Sequence, residues 1–274
     1  MAAGHQPGRT LYGEQLRLGI LYLLRSARKT DWYFGRENMG RMYAHGIATL
    51  ALTEAYGMMQ EDQENLQIKE VLEKCIAIIL NSQYKENNKN FGGWRYEPNR
   101  ADADLSVSVW QALVLRSAQN SQIVIPDTSI QDACTYIRAT YNEQLQAFTY
   151  QGGDGHGTPA MASAGIVAMN VLGLRHDAED LKKIESSARN LLTVDLLNGE
   201  NMYYQNYYLA TAANMMGGKY RNTMLPKMEA ALLSLQEPSG EFRKHRGYKD
   251  GVYATAFATI ILCIRYQYLP IYQE

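Results

Sequence analysis

Apolar residues recur at helical spacing through most of the chain, and no convincing alternating run appears, so the pattern predicts an all-α protein. Helical segments come in pairs that repeat at about 40 to 60 residues, the period range of stacked or circular arrays of helical hairpins. The first helix of each pair carries charges on one face, as in LRLGILYLLRSARK and IKEVLEKCIAIILNSQ. The second is crowded with small residues and Met, as in YAHGIATLALTEAYG, TPAMASAGIVAMNVLG and YYLATAANMMGG. Charged faces need water and small-residue faces pack closely, so two concentric helix layers are expected. Five hairpins are predicted, at about residues 13 to 57, 67 to 118, 128 to 173, 178 to 217 and 222 to 266. They are expected to form one domain over residues 1–274, with 1–12 a flexible N-terminal segment.

The connections sharpen this picture. DWYFG, NFGGW, QAFTYQGG and SGEF each join a glycine, which frees the backbone to turn, to an aromatic ring that pins the turn. Gly57, Gly173 and Gly217 follow small-residue helices, where a left-handed C-terminal cap is needed. GGDGHG, residues 152 to 157, lacks the preceding strand and the Lys-Ser/Thr ending of a phosphate loop, and is expected to be the third hairpin turn. Glu241, Arg243, Lys244 and His245 form a charged turn expected at a solvated rim.

Composition excludes several partners. With 27 Lys and Arg against 28 Asp and Glu, and no basic stripe, the chain is not expected to bind nucleic acid. GVYATAFATIILCI is cut short by Arg265 and falls below the roughly 20 residues of a membrane span. Cys75, Cys134 and Cys263 are odd in number and set among apolar residues, which predicts buried thiols. MAAGHQPGRT has no apolar core of a signal peptide, so the chain as written is expected to be soluble and cytoplasmic; a domain cut from a secreted or anchored parent would read the same way. Tyrosine is unusually frequent, 20 against 5 Phe, which points to a wet cavity or polar groove.

LNSQYKENNKNFGGW and LLSLQEPSGEF resemble the Gln-to-Gly-aromatic repeats of squalene-hopene cyclases, and VSVWQAL resembles an inner helix of protein prenyltransferase β subunits. Over nearly its full length the chain is similar to the prenyltransferase and squalene oxidase repeat proteins of planctomycete-like bacteria. The resemblance implies an α/α toroid, inner helices around a funnel and outer helices around those. Such rings commonly have six hairpins, so five imply an incomplete ring, either open, capped by the N-terminal residues, or completed by a protein partner or the rest of a longer parent chain.

The same resemblance locates candidate chemistry. Alignment on Trp110-Gln111-Ala112 puts Asp104 at the zinc-binding aspartate of the prenyltransferases, but Ser106 replaces the cysteine and Tyr253 the histidine, so no metal site is expected and no cofactor is implied. Asp102-Ala103-Asp104-Leu105-Ser106 keeps the first two acids of the cyclase motif, which makes Asp104 its proton donor by resemblance, with Asp102 beside it. From the residues alone, Asp102 and Asp104 also fit helix capping, worth about 0.5 to 2 kcal/mol, and the two roles are compatible. Alignment of the second helices places Tyr43, Asp104, Pro159, Tyr208 and Tyr253 at one rim, with His45 nearby. Trp94 and Arg95 offer aromatic and cationic contacts, and Ser106 and Trp110 complete the candidate ligand-binding set. The expected function is a terpenoid cyclase-like ligand-binding or scaffold module whose Tyr-rich funnel takes an isoprenoid or an extended glycan. The alternative is an acid-initiated isoprenoid cyclase that uses Asp104.

Overall fold

A computed structural model describes residues 1–36, 40–153, 156–199, 201–243 and 251–272. Lys244 and His245 of the predicted charged turn, and Asp154 and Gly155 of GGDGHG, lie outside the described residues. Ten α-helices are present among the described residues: α1 Gly13–Lys29, α2 Arg41–Ala55, α3 Asp62–Asn81, α4 Leu105–Asn120, α5 Asp127–Ala139, α6 Pro159–Val171, α7 Ala178–Ala188, α8 Met202–Met216, α9 Gly218–Leu233 and α10 Val252–Cys263. They form the five expected hairpins, with even-numbered helices inside and odd-numbered helices outside.

Burial follows the sequence pattern. Outer helix α3 buries Ile68, Val71, Leu72, Cys75, Ile76 and Ile79, one stripe at helical spacing, and turns Lys69, Glu70, Glu73 and Lys74 to water. Inner helix α4 buries all but Arg116, Gln119 and Asn120 of its 16 residues, which is why small and uncharged side chains dominate it. Gly57, Gly173 and Gly217 adopt φ of 83°, 76° and 65°, positive values that glycine reaches without strain; Gly173 takes the left-handed cap conformation, whereas Gly217, with ψ −160°, lies outside it. Two differences from expectation stand out. Helix α3 starts at Asp62, because the polar DQENLQ begins with acids that favour a helix N-terminus. The third hairpin carries a two-residue antiparallel ladder, Tyr141–Asn142 with Ala147–Phe148, too short to leave a period-two signature.

Each inner helix packs on the next, α2 on α4, α4 on α6, α6 on α8 and α8 on α10. Where α10 would meet α2 there is instead an apolar cavity of about 600 Å³, bordered by Ile47, Leu50, Trp110, Tyr253, Phe257 and Ile260. Residues 1–3, Leu269, Ile271 and Tyr272 lie against it, and Met1 packs on the core. The ring centre is not an open funnel. Trp110 of α4 stacks on Tyr207 of α8 at 5.3 Å and 7°, and Tyr208 meets the Trp110 ring edge-on at 5.9 Å. With only five hairpins, inner helices face each other at a distance that aromatic side chains span. At the far end the C-terminal turn Pro270–Tyr272 packs on α4, and the Tyr272 hydroxyl meets that of Tyr207 at 2.9 Å.

Of the three thiols, Cys75 and Cys134 are buried, while Cys263 is half-buried because it sits on the last turn of α10 beside the open seam. No described helix is long and apolar enough to cross a membrane.

His45 lies wholly inside this core, its Nε2 3.0 Å from the Cys75 carbonyl and its ring flanked by Tyr33 and Phe34. Burial lowers its pKa to about 4. A depressed folded-state pKa gives stability that is present above the unfolded value of 6.5 and is lost as pH falls toward the folded one. The native protein is therefore expected to lose about 2 kcal/mol between pH 7 and pH 5 through this group. His45→Gln should flatten that part of a urea-unfolding series across pH; an unchanged slope would assign it elsewhere.

Candidate functional site

The N-terminal ends of the inner helices meet at one rim, and α4 organises it. Asp104 has extended backbone angles (φ −141°, ψ 153°) and caps the helix, its Oδ1 accepting from the Val107 N–H at 3.0 Å. Two aromatic turns are tied to this point: the Asp104 N–H donates to the Trp94 carbonyl at 3.0 Å, and the Leu105 N–H to that of Tyr150 at 2.8 Å. Those bonds carry Arg95 and Tyr150 to the helix end. The Arg95 guanidinium then donates to Asp104 Oδ2 at 2.7 Å and to the Tyr150 hydroxyl at 2.5 Å, and its Nε lies 3.1 Å from Asp102 Oδ2. It also sits 4.5 Å from the Tyr96 ring centroid and 5.5 Å from that of Tyr150, within cation–π reach.

The network continues across the ring. Ser106 has a single proton, which it gives to Asp104 Oδ1 at 2.5 Å, so the Tyr43 hydroxyl, 2.5 Å from Ser106 Oγ, is the donor there. Tyr204 of α8 reaches over to donate to the Ser106 carbonyl at 3.2 Å and meets the Tyr43 ring edge-on at 6.4 Å. Tyr96 and Tyr150 join through their hydroxyls at 2.5 Å.

Charges are set by this geometry. Asp104 has no exposed surface, and desolvation raises its carboxyl above the usual Asp range, while Ser106, Arg95 and the Val107 amide pull it back. Every contact it makes is from a donor, and an oxygen that only accepts is a carboxylate's. We therefore treat it as ionised beside an Arg95 guanidinium that holds its proton more firmly than usual. Burial likewise pushes the phenols of Tyr43, Tyr150 and Tyr204 well up, so they keep their protons.

The predicted residues fall into two groups. Tyr43, Arg95, Ser106, Asp102 and Asp104 come together in this network, and Asp102, with 44% of its side chain exposed, faces water. Tyr253 lies on α10, its ring 4.8 Å from Phe257 at the seam cavity. His45, Trp94 and Tyr208 are 0%, 1% and 0% exposed and present no surface to a solute, while Trp110, 4% exposed, borders the apolar seam cavity and not the rim. The Trp94 indole donates to the Ile79 carbonyl at 2.7 Å and anchors its turn. Tyr208 misses the rim because α8 begins at Met202, which puts Tyr204 at the third helical position, as Tyr43 is on α2. The sequence pattern does not single out Tyr96, Tyr150 or Tyr204; Tyr150 lies in the turn QAFTYQGG, Tyr96 two residues beyond NFGGW, and helix phase holds Tyr204. Among the described residues no group of three or more His, Cys, Asp or Glu gathers as metal ligands would.

No protein-family model and no curated protein matches this chain. Solved structures do. A reducing-end-xylose releasing exo-oligoxylanase is 10% identical with a TM-score of 0.54, over 93% of this chain and 83% of its own. A variant of that enzyme complexed with xylobiose gives 0.53 at 10% identity over the same spans. A polysaccharide lyase is 11% identical with a TM-score of 0.54, over 94% of this chain and 88% of its own. At these identities the likeness shows the fold, an α/α toroid. It also corrects the function drawn from the sequence resemblance: the matched structures are a glycosidase and a polysaccharide lyase, not terpenoid cyclases or prenyltransferases, and the cyclase alternative and the isoprenoid ligand find no support. The physical reason is that the resemblance lies in Gly-aromatic turns and small-residue inner helices, which any tight α/α toroid needs. Asp104, enclosed and ion-paired, has no face from which to protonate an alkene.

Proposed function

We propose that this chain binds an oligosaccharide across the inner-helix N-terminal rim. One observation carries the proposal: Tyr43, Tyr96, Tyr150 and Tyr204, all half-buried, are held with Arg95 in a single hydrogen-bonded network. Aromatic faces stack on the apolar faces of sugar rings, and phenols, a guanidinium and the part-exposed Asp102 carboxylate supply donors and acceptors for sugar hydroxyls. The fold shared with an exo-oligoxylanase crystallised with xylobiose supports the choice of a glycan.

Binding fits the site better than turnover. Glycoside hydrolysis uses two carboxyl groups flanking the scissile bond, one of them protonated. Here Asp104 is enclosed, and Asp102 and Glu97 are each ion-paired, with Arg95 and Arg41. Proton abstraction by a phenol needs a lowered pKa, and these phenols are raised.

Isothermal titration with xylohexaose and with an acidic oligosaccharide is expected to show binding to at least one, weakened about fivefold by Tyr96→Ala through loss of a stacking face. Absence of heat with both at millimolar concentration would remove the proposal. New reducing ends in the same samples would add catalysis to it.

A further inference from the structure

A second cavity, of about 730 Å³, lies at the opposite rim, where the C-termini of α4 and α6 approach the C-terminal turn. Arg116, Asn120, Asn170, Arg175, His176 and Met215 border it, and Tyr272 lies alongside. None of its bordering residues is Asp or Glu. The Tyr207–Tyr272 contact and the stacked rings above it separate this cavity from the tyrosine rim. Helix C-termini by themselves repel an anion, because their free carbonyls carry partial negative charge. The Arg116 guanidinium reverses that sign. Arg116 is exposed and makes no ion pair among the described residues, so its planar fork is presented to the cavity rather than spent on a neighbouring acid.

We propose that this cavity binds a small polyhydroxylated anion, a sugar that carries a carboxylate or a phosphate group. Arg116 takes the charged group, Asn120 and Asn170 the hydroxyls, and Met215 an apolar ring face. The size suits it, since small-molecule ligand cavities run from about 300 to 1,000 Å³.

The test uses three probes on the intact chain in low salt: glucuronate, glucose 6-phosphate and glucose. At least one anion is expected to bind, with glucose about tenfold weaker or undetectable. Binding should weaken as salt rises, and preference between the two anions identifies the charged group. Arg116→Gln is expected to weaken the anion about tenfold, while Arg25→Gln, an exposed cation on outer helix α1, leaves it unchanged. Tyr96→Ala should also leave it unchanged, which keeps this site distinct from the tyrosine rim. Circular dichroism melts check that each variant is folded. Glucose binding as tightly as both anions, no probe binding at all, or Arg116→Gln binding as the parent does would overturn the proposal.

Discussion

Replacing Gly92 by alanine is expected to destabilise the protein by about 4 kcal/mol, enough to leave much of it unfolded or insoluble at 37 °C. Gly92 sits in the NFGGW turn at φ +86°, where an L side chain is strained. A Cβ there would lie 1.9 Å from the Asp132 carbonyl oxygen and 2.4 Å from its carbon. That obstacle is backbone of α5, so it cannot swing aside. Nor can the turn retreat, because the Gly92 N–H donates to the Tyr84 carbonyl at 2.8 Å and its own carbonyl accepts from Gln83 Nε2 at 2.9 Å. Gly153→Ala is the control: its φ is +81° but nothing lies within 4 Å of the added carbon, so only backbone strain, about 1 kcal/mol, is expected. Urea unfolding of both variants reads the difference. Equal losses would mean that the close approach to α5 contributes nothing.

Arg95→Met is expected to cost about 3 kcal/mol at pH 7, because it leaves the enclosed Asp104 carboxylate without its counter-ion. The signature is in the pH dependence. Desolvation already raises Asp104, and Arg95 supplies two of the forces that pull it down, so its removal raises the carboxyl further. A carboxyl raised above its unfolded value binds protons more tightly when folded. Its contribution is therefore most favourable below the ordinary value of 3.8 and is lost as pH rises through the folded pKa. The variant should thus close part of its gap with the parent as pH is lowered from 7 to 5. Adding Asp104→Asn to Arg95→Met should recover about 1 to 2 kcal/mol at pH 7, since Asn still caps the helix and carries no charge. A double variant no more stable than the single one would show that the loss came from packing of the Arg95 stem over Tyr96.

Much of this was legible residue by residue. The small-residue runs of α2, α4 and α6 announced inner helices, because a helix buried on nearly every side admits little else. Asp104 announced a cap, because a short acid before an apolar helical run has few better uses than the free N–H groups. The rim was half legible. Arg95 and Tyr43 were recognisable as polar residues near inner-helix starts, whereas Tyr150 reaches them only because the third hairpin folds back onto α4. Tyr208 was placed at the rim by an alignment one helical turn out of phase, and a single turn of about 5.4 Å separates a rim residue from a core one.

By itself the sequence determined the elements and their layering: periodicity fixes which residues share a helix face, and the chemistry of each face fixes whether it can meet water. Tertiary structure alone decided what stands at the centre of the ring. Whether five hairpins enclose an open funnel or a plug depends on the distance between facing helices, and no local pattern encodes that distance. Here it is short enough for Trp110 and Tyr207 to stack across it at 5.3 Å, so the tyrosines predicted to line a funnel are divided between a polar rim (Tyr43), a closed core (Tyr208) and the seam cavity (Tyr253). The cavity at the other rim has the same origin, since Arg116 and Asn170 border one space only because α4 and α6 end side by side.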